Sequence, residues 1–421
     1  MGHWGRTLAV LIVLLAGPSA GETSDDEVAG LKAEIQHIRE ENRALQAQVS
    51  RQEAALERLE SRLQAMDTGA REPSTQAVAG ATPVLSDLMH VPSLTLRGFA
   101  DFGYSLKLAQ VDNTNSFALG AADLYMTSEL TDRVSVLVEA NFGSNSENAA
   151  TFNFQRGLIK YWLSDLVRIT AAARMHTPLG YQAYHHGSWL QTTIFRPEIY
   201  LFEGDDGGFL PVHSVGVDVS GSKEWDALDL EYNFGIFNGR GRTVTEIQHL
   251  KDKNDGKAVN LRVGIKPHLI EGLALGGDIY LDEIPGNPPA ASRRADMDER
   301  ILGGYLVYTT DRVELLSELF HIFHDDKTSG EEFSTVGLYV QGSYSFGRWK
   351  PYYRFDRLDV ANGDPFFTAP RDQDRLKHTL GLRWDPFAWN AIKFEYSFTD
   401  LKRTPQDNDE HALSVNSSYA F

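Results

Sequence analysis

From Leu94 to the C-terminal Phe421, apolar and polar residues alternate, segment after segment, with a period of two. Between Asn390 and Asp400, Ile392, Phe394, Tyr396 and Phe398 alternate with Lys393, Glu395, Ser397 and Thr399. Leu228, Leu230, Tyr232, Phe234 and Ile236 do the same against Asp229, Glu231 and Asn233, as do Val336, Leu338 and Val340 against Gly337, Tyr339 and Gln341. A helix returns to one face every 3.6 residues, so these segments are strands with one apolar and one polar face.

About sixteen such strands are expected. Their starts fall near Leu94, Ser116, Arg133, Thr151, Val167, His213, Asp226, Ala258, Gly272, Glu299, Arg312, Thr335, Trp349, Arg375, Asn390 and Asp409. Connections alternate in length. Short turns such as Thr131 to Arg133, Ser164 to Leu166, Thr310 to Arg312 and Phe346 to Arg348 interleave with long polar loops such as Asn238 to Lys257 and Ile284 to Asp298. A β-sandwich would show no consistent asymmetry of this kind. Short turns at one rim and long loops at the other are the pattern of an all-β transmembrane barrel of antiparallel strands.

Three segments precede the barrel at 94–421. Residues Leu8 to Ala16 form an apolar run behind Arg6, followed by Gly17, Ser19, Ala20 and Gly21, which reads as a signal peptide over 1–21. The run is about half the length a membrane span needs. Within 22–67 a heptad repeat is unbroken. Val28, Ile35, Asn42, Val49, Leu56 and Leu63 fall at a; Leu31, Ile38, Leu45, Gln52, Leu59 and Met66 fall at d. This predicts a left-handed, parallel coiled coil, α-helical and about 60 Å long. The pairs Glu34 with Arg39 and Arg62 with Asp67 suit parallel neighbours; Ile35 and Ile38 favour a trimer, while Asn42 suits a dimer. Residues 68–93, rich in Gly, Pro, Ser, Thr and Ala, read as a flexible linker.

The chain has no cysteine and a net charge of -18. That excludes a disulfide framework and thiol catalysis, and it argues against nucleic acid as a partner, because counterion release needs clustered cations.

The last strand ends in Leu413, Val415, Tyr419 and Phe421 on one face. It resembles the C-terminal signal of Gram-negative outer-membrane barrels, which implies that Tyr419 and Phe421 are read by the barrel assembly machinery and that the barrel sits in outer-membrane lipid. The region 94–421 looks like a sixteen-stranded porin. The order coiled coil, linker, barrel resembles the phosphate-selective porin group, with the coiled coil in the periplasm and a homotrimer held by coiled coil and barrel. The run from Arg174 through His176, Pro178 and Gly180 is loosely similar to a strand end of that group. Such a protein is a water-filled channel for passive diffusion of small polar or ionic solutes, anions among them, with no cofactor.

A lumen of sixteen strands is too wide for side chains to fill. The connection from His176 to Val212 is the longest and third among the long loops, and in general porins, which this arrangement resembles, the third loop narrows the pore. Its Glu198, Glu203, Asp205 and Asp206 are expected to face a basic wall of Arg156, Lys160, Arg168 and Arg174 on strands four and five, and Lys350, Arg354, Lys377, Arg383 and Lys393 on strands thirteen to fifteen. Carboxylates opposite cations would set a transverse field across the constriction.

His176, His185, His186 and His213 invite a metal reading, but nothing in their spacing fixes a geometry, and no metal is expected. No Gly-x-Ser-x-Gly elbow or His-Glu-x-x-His pair is present, so no enzyme is expected either, although Ser188 lies close to His185 and His186. The alternative to a channel is a non-conducting barrel that tethers the envelope or sheathes a partner.

Overall fold

The computed structural model of the protein describes residues 94–108, 115–144, 150–164, 166–185, 187–201, 208–244, 252–286, 295–369, 371–402 and 408–421. The expected signal peptide, coiled coil and linker lie outside these residues, as do His186, Glu203, Asp205 and Asp206.

Sixteen antiparallel strands form one closed barrel in which each strand pairs with its neighbours in sequence and the last pairs with the first. The strands are β1 Leu94–Leu108, β2 Ser116–Thr131, β3 Val134–Ser144, β4 Ala150–Ser164, β5 Val167–His176, β6 His213–Glu224, β7 Leu228–Phe237 and β8 Ala258–Pro267. The other half runs β9 Leu273–Ile284, β10 Met297–Thr309, β11 Val313–Asp326, β12 Glu332–Tyr344, β13 Trp349–Asp359, β14 Arg375–Phe387, β15 Asn390–Leu401 and β16 Asn408–Ala420. The expected starts agree closely; the widest gap is Thr335 against Glu332. A closed barrel leaves no unpaired edge, so every strand can satisfy its backbone groups without water.

Burial is inverted relative to a water-soluble protein. On β15, Lys393 is fully buried and Glu395 is 3% exposed, whereas Phe394 between them is 44% exposed. Polar side chains therefore point inward and apolar ones outward, as hydrocarbon outside and water inside would require. Near the rim that carries the short turns, outward aromatic rings stack in a girdle. Phe387 lies 5.1 Å from Trp389, Trp389 6.0 Å from Tyr419, and Trp349 5.2 Å from Trp384.

The barrel closes at this rim. The Gly98 amide donates to the Phe421 carbonyl at 2.8 Å and the Phe421 amide donates back at 3.0 Å, extending the β1 to β16 register that pairs Phe99 with Ala420. A Cβ on Gly98 would come within 2.5 Å of the Phe421 ring, so the tip of the terminal aromatic lies over the glycine, on the outer face.

The lumen is not empty on all sides. Segments 177–185, 187–201, 208–212, 238–244 and 360–369 turn into it, and Phe209, Leu210, Phe237, Tyr280, Ile301 and Phe367 form an apolar cluster against the wall of β7 to β13. The Phe209 and Phe367 rings meet at 5.0 Å.

Candidate functional site: a loop strapped to one side of the lumen

The connection 177–212 leaves β5 and returns to β6 through a closed root. The Thr177 amide donates to the Val212 carbonyl at 2.8 Å, and the Thr177 and Ser214 hydroxyls meet at 2.6 Å. At Gly180 the backbone takes φ +73°, a left-handed conformation that turns the chain inward, and a Cβ there would lie 2.4 Å from the Glu318 carboxylate. Two short 3-10 turns follow, Gln182–Tyr184 and Glu198–Tyr200.

A loop inside a barrel brings amides and carbonyls away from its own strand ladder, and each needs a partner. The wall of β11 to β15 supplies them. Its carboxylates take the loop donors: Glu318 accepts from the Tyr181 and Gln182 amides, Asp356 from the Glu198 amide at 3.0 Å, Glu395 from the Ile194 amide at 2.9 Å, and Glu314 from the Thr192 hydroxyl at 2.7 Å. Burial first, and the nearby Glu318 charge second, raise the Tyr200 phenol well above its ordinary pKa, so it stays a donor to Glu318.

The wall cations take the loop carbonyls. Arg354 donates to the Thr193 hydroxyl at 3.0 Å and to the Phe195 and Arg196 carbonyls at 2.8 and 3.0 Å. Arg383 donates to the Trp189 and Gln191 carbonyls at 2.8 and 2.9 Å, and Lys393 to those of Ser188 and Thr193. Lys377 pairs with Glu198 at 3.0 Å.

These charges meet on one side of the lumen. Glu198 meets Lys377, one of the cations expected to oppose it, and, at 3.7 Å, Arg375, but it does so against the wall that carries the loop and not across an open passage. Arg354, Lys377, Arg383 and Lys393 lie beneath the loop, because loop carbonyls inside a barrel need donors and these side chains are the ones in reach. Lys350 sits 3.6 Å from Glu314 on the same side. Arg174 is buried and donates to the Phe154 carbonyl at 2.9 Å.

The space lies on the opposite side. One cavity of about 460 Å³ runs between loop residues 188–196 and the wall of β1 to β3 and β16, lined by Asp101, Asp123, Asn141 and Asn416 from the wall and Arg196 from the loop. A second, of about 1010 Å³, lies toward the short-turn rim, lined by Arg156, Lys160, Arg168, Arg262, Tyr181 and His185 among others. His213 lines the first and His176 the second, and their rings are 4.9 Å apart. Trp189 of the loop stacks on Phe99 of β1 at 6.0 Å.

Across the first cavity the polarity is the reverse of that expected, with a cation on the loop and carboxylates on the wall. Burial pulls the Arg196 guanidinium down to about 10, while the Asp123 charge opposes that shift, so Arg196 remains charged at neutral pH. Alternation on β1 to β3 places Asp101, Asp123 and Glu139 inward by the rule that located Lys160, so these residues were within reach of sequence reasoning and were missed. Along the second cavity Arg156 pairs with Glu139, and Arg168 donates to the Ser220 hydroxyl at 3.1 and 2.8 Å. Lys160 makes no hydrogen bond or ion pair with any described residue.

A further charged cluster, unanticipated from sequence, fastens the inner ends of the long loops. Arg240 donates to Glu299 at 2.9 Å and to the Gly208 carbonyl at 3.1 Å. His324 bridges Glu299 at 3.1 Å and Asp364 at 2.7 Å. All four side chains are buried. The pair Phe366 and Phe367, apolar inside a loop, was the available signal.

Of the remaining candidates, His185 stacks on Tyr181 at 4.0 Å, and Ser188 contributes its carbonyl to Lys393. No group of three or more potential metal ligands occurs among the described residues.

No protein-family model and no curated relative matches the sequence. Solved structures do match the fold. An anion-selective porin from Comamonas acidovorans superposes with a TM-score of 0.56 at 13% identity, covering 78% of this chain and 99% of that one. The outer-membrane channel DcaP of Acinetobacter baumannii gives 0.53 at 10% identity over 78% and 97%. Salmonella typhi OmpF, in a complex with daunomycin, gives 0.54 at 12% over 78% and 98%. The barrel of this chain has the fold of the sixteen-stranded outer-membrane porins.

Proposed function

We propose that this chain is an outer-membrane porin of a Gram-negative bacterium, a channel that passes small polar and ionic solutes by diffusion. The observation that carries the reading is the position of the third long loop. Strapped to β11 to β15, it leaves charged cavities on the side of β1 to β9, where a solute would pass. The outward apolar face and the aromatic girdle support a membrane setting, and the short-turn rim then faces the periplasm.

Anions are the favoured solutes, inorganic phosphate among them. Lys160 makes no ion pair with any described residue, Arg168 donates to the Ser220 hydroxyl, and Arg156 extends the same wall. Asp101, Asp123 and Glu139 against Arg196 form the selective zone nearer the long loops. Oligomerisation as a trimer is supported by the trimer form in which OmpT of Vibrio cholerae, similar in fold with a TM-score of 0.53, is described. The heptad segment would add to it from the periplasm, and assembly would proceed through the terminal Phe421.

Liposome swelling tests the channel. Vesicles carrying the purified full chain should swell in isotonic solutions of small solutes such as arabinose and glycine; vesicles that stay as tight as protein-free ones would refute it.

A further inference from the structure

We infer that the larger cavity binds planar aromatic carboxylates, the carboxylate on Lys160 and Arg168 and the ring on the stacked pair of Tyr181 and His185. The inference rests on the channel reading only for how the solute arrives; the binding itself belongs to the cavity.

Two kinds of surface meet in this space of about 1010 Å³. The first is cationic. Lys160 has no partner among the described residues, and Arg168 has a hydroxyl for its partner, Ser220. Among the carboxylates that also line the cavity, Glu231 pairs with Lys266, Asp229 meets His268 at 2.8 Å, and Asp218 accepts from Asn233 at 3.3 Å within the field of Arg168, while Glu271 lies in the turn between β8 and β9 at the rim. An arriving carboxylate therefore meets in Lys160 a cation with no carboxylate against it, with Arg168 beside it, and charge-assisted hydrogen bonds to it are the strong kind.

The second surface is aromatic. Tyr181 and His185 stack with ring centres 4.0 Å apart and planes 17° from parallel, held by the His185 Nδ1 contact to the Tyr181 carbonyl at 2.9 Å. Tyr305 lies 6.3 Å from Tyr181, and the Arg262 guanidinium covers Tyr305 at 4.8 Å and Tyr184 at 5.2 Å. His185 is exposed at the end of this array, so one more flat ring extends it. A small inorganic anion uses the first surface alone. A saturated ring of the same size and charge uses the first and packs poorly on the second.

The probes are benzoate and cyclohexanecarboxylate, each titrated calorimetrically into the detergent-purified full-length barrel, a measurement that does not require conduction. Benzoate should bind at least fivefold tighter than cyclohexanecarboxylate. Lys160→Gln should weaken both by about fivefold or more, and Tyr181→Leu or His185→Ala should reduce the benzoate preference to below twofold. Heat-modifiable gel migration identifies any variant that does not fold, and the two ring variants serve as independent tests. Equal affinities for the two probes, binding of neither, or a preference that survives both ring variants would overturn the inference. Binding with these preferences in a barrel that passes no current would leave the inference standing while the channel reading fell.

Discussion

The Tyr200 hydroxyl donates to both oxygens of Glu318, at 3.1 and 3.3 Å, joining the inner end of the third long loop to the wall of β11. Glu318 also accepts from Tyr339 of β12 at 2.7 Å and from the amides of Tyr181 and Gln182, so one buried carboxylate gathers two separate stretches of the inserted segment. Hydrogen bonds to a charged group contribute about 1.5–3 kcal/mol each. Glu318→Gln should leave the barrel closed, because the strand ladder does not involve this side chain, yet loosen the loop. Limited proteolysis should then cut within 177–212 at least several times faster than in the unchanged protein.

The cations divide into two groups with different expected effects. Lys160→Gln and Arg168→Gln remove charge from the open side and should shift selectivity toward cations. Lys393→Met removes a donor from beneath the loop, and its main effect should be noisier open-channel current. Paired recordings of reversal potential and current noise distinguish the two groups.

Removing the wall carboxylates tests the reversed polarity of the smaller cavity. Asp101→Asn with Asp123→Asn leaves Arg196 less compensated and should move selectivity toward anions. The shift should fade at 1 M salt, where the Debye length is about 3 Å. Persistence of the shift at high salt would mean that the change acts through shape and not charge.

Deleting Phe421 removes the ring from Gly98 and the last pair of backbone bonds between the barrel's two ends. The amount of folded barrel in the membrane should fall severalfold, measured by heat-modifiable migration at equal expression. Deleting residues 28–66 should instead leave a folded barrel and reduce the trimer fraction in native mass measurement.

The strands were legible because a side chain on a strand has two directions only. Once Phe394 faces out, Lys393 and Glu395 face in, and sixteen such segments place themselves. The same rule is silent about what lies above an inward residue. Lys160 and Lys393 both point into the lumen, yet the first faces open space and the second is covered by Ser188 and Thr193. Which wall the long loop follows is a tertiary matter, decided by which donors and acceptors its backbone meets, and loop length alone does not encode it. Asp101 and Asp123, by contrast, were overlooked and not hidden. The buried set of Arg240, Glu299, His324 and Asp364 joins three loops and two strands, and no spacing in the sequence brings such residues together.

The most direct test is the reversal potential of the purified chain in a planar bilayer under a salt gradient at low ionic strength. A conducting channel on the side of the lumen away from the strapped loop predicts stable openings, a shift toward cations in the Lys160→Gln and Arg168→Gln variant, and a shift toward anions in the Asp101→Asn and Asp123→Asn variant. Absence of conductance, or a reversal potential unmoved by either pair of substitutions, would contradict the account and favour a barrel that tethers the envelope or sheathes a partner.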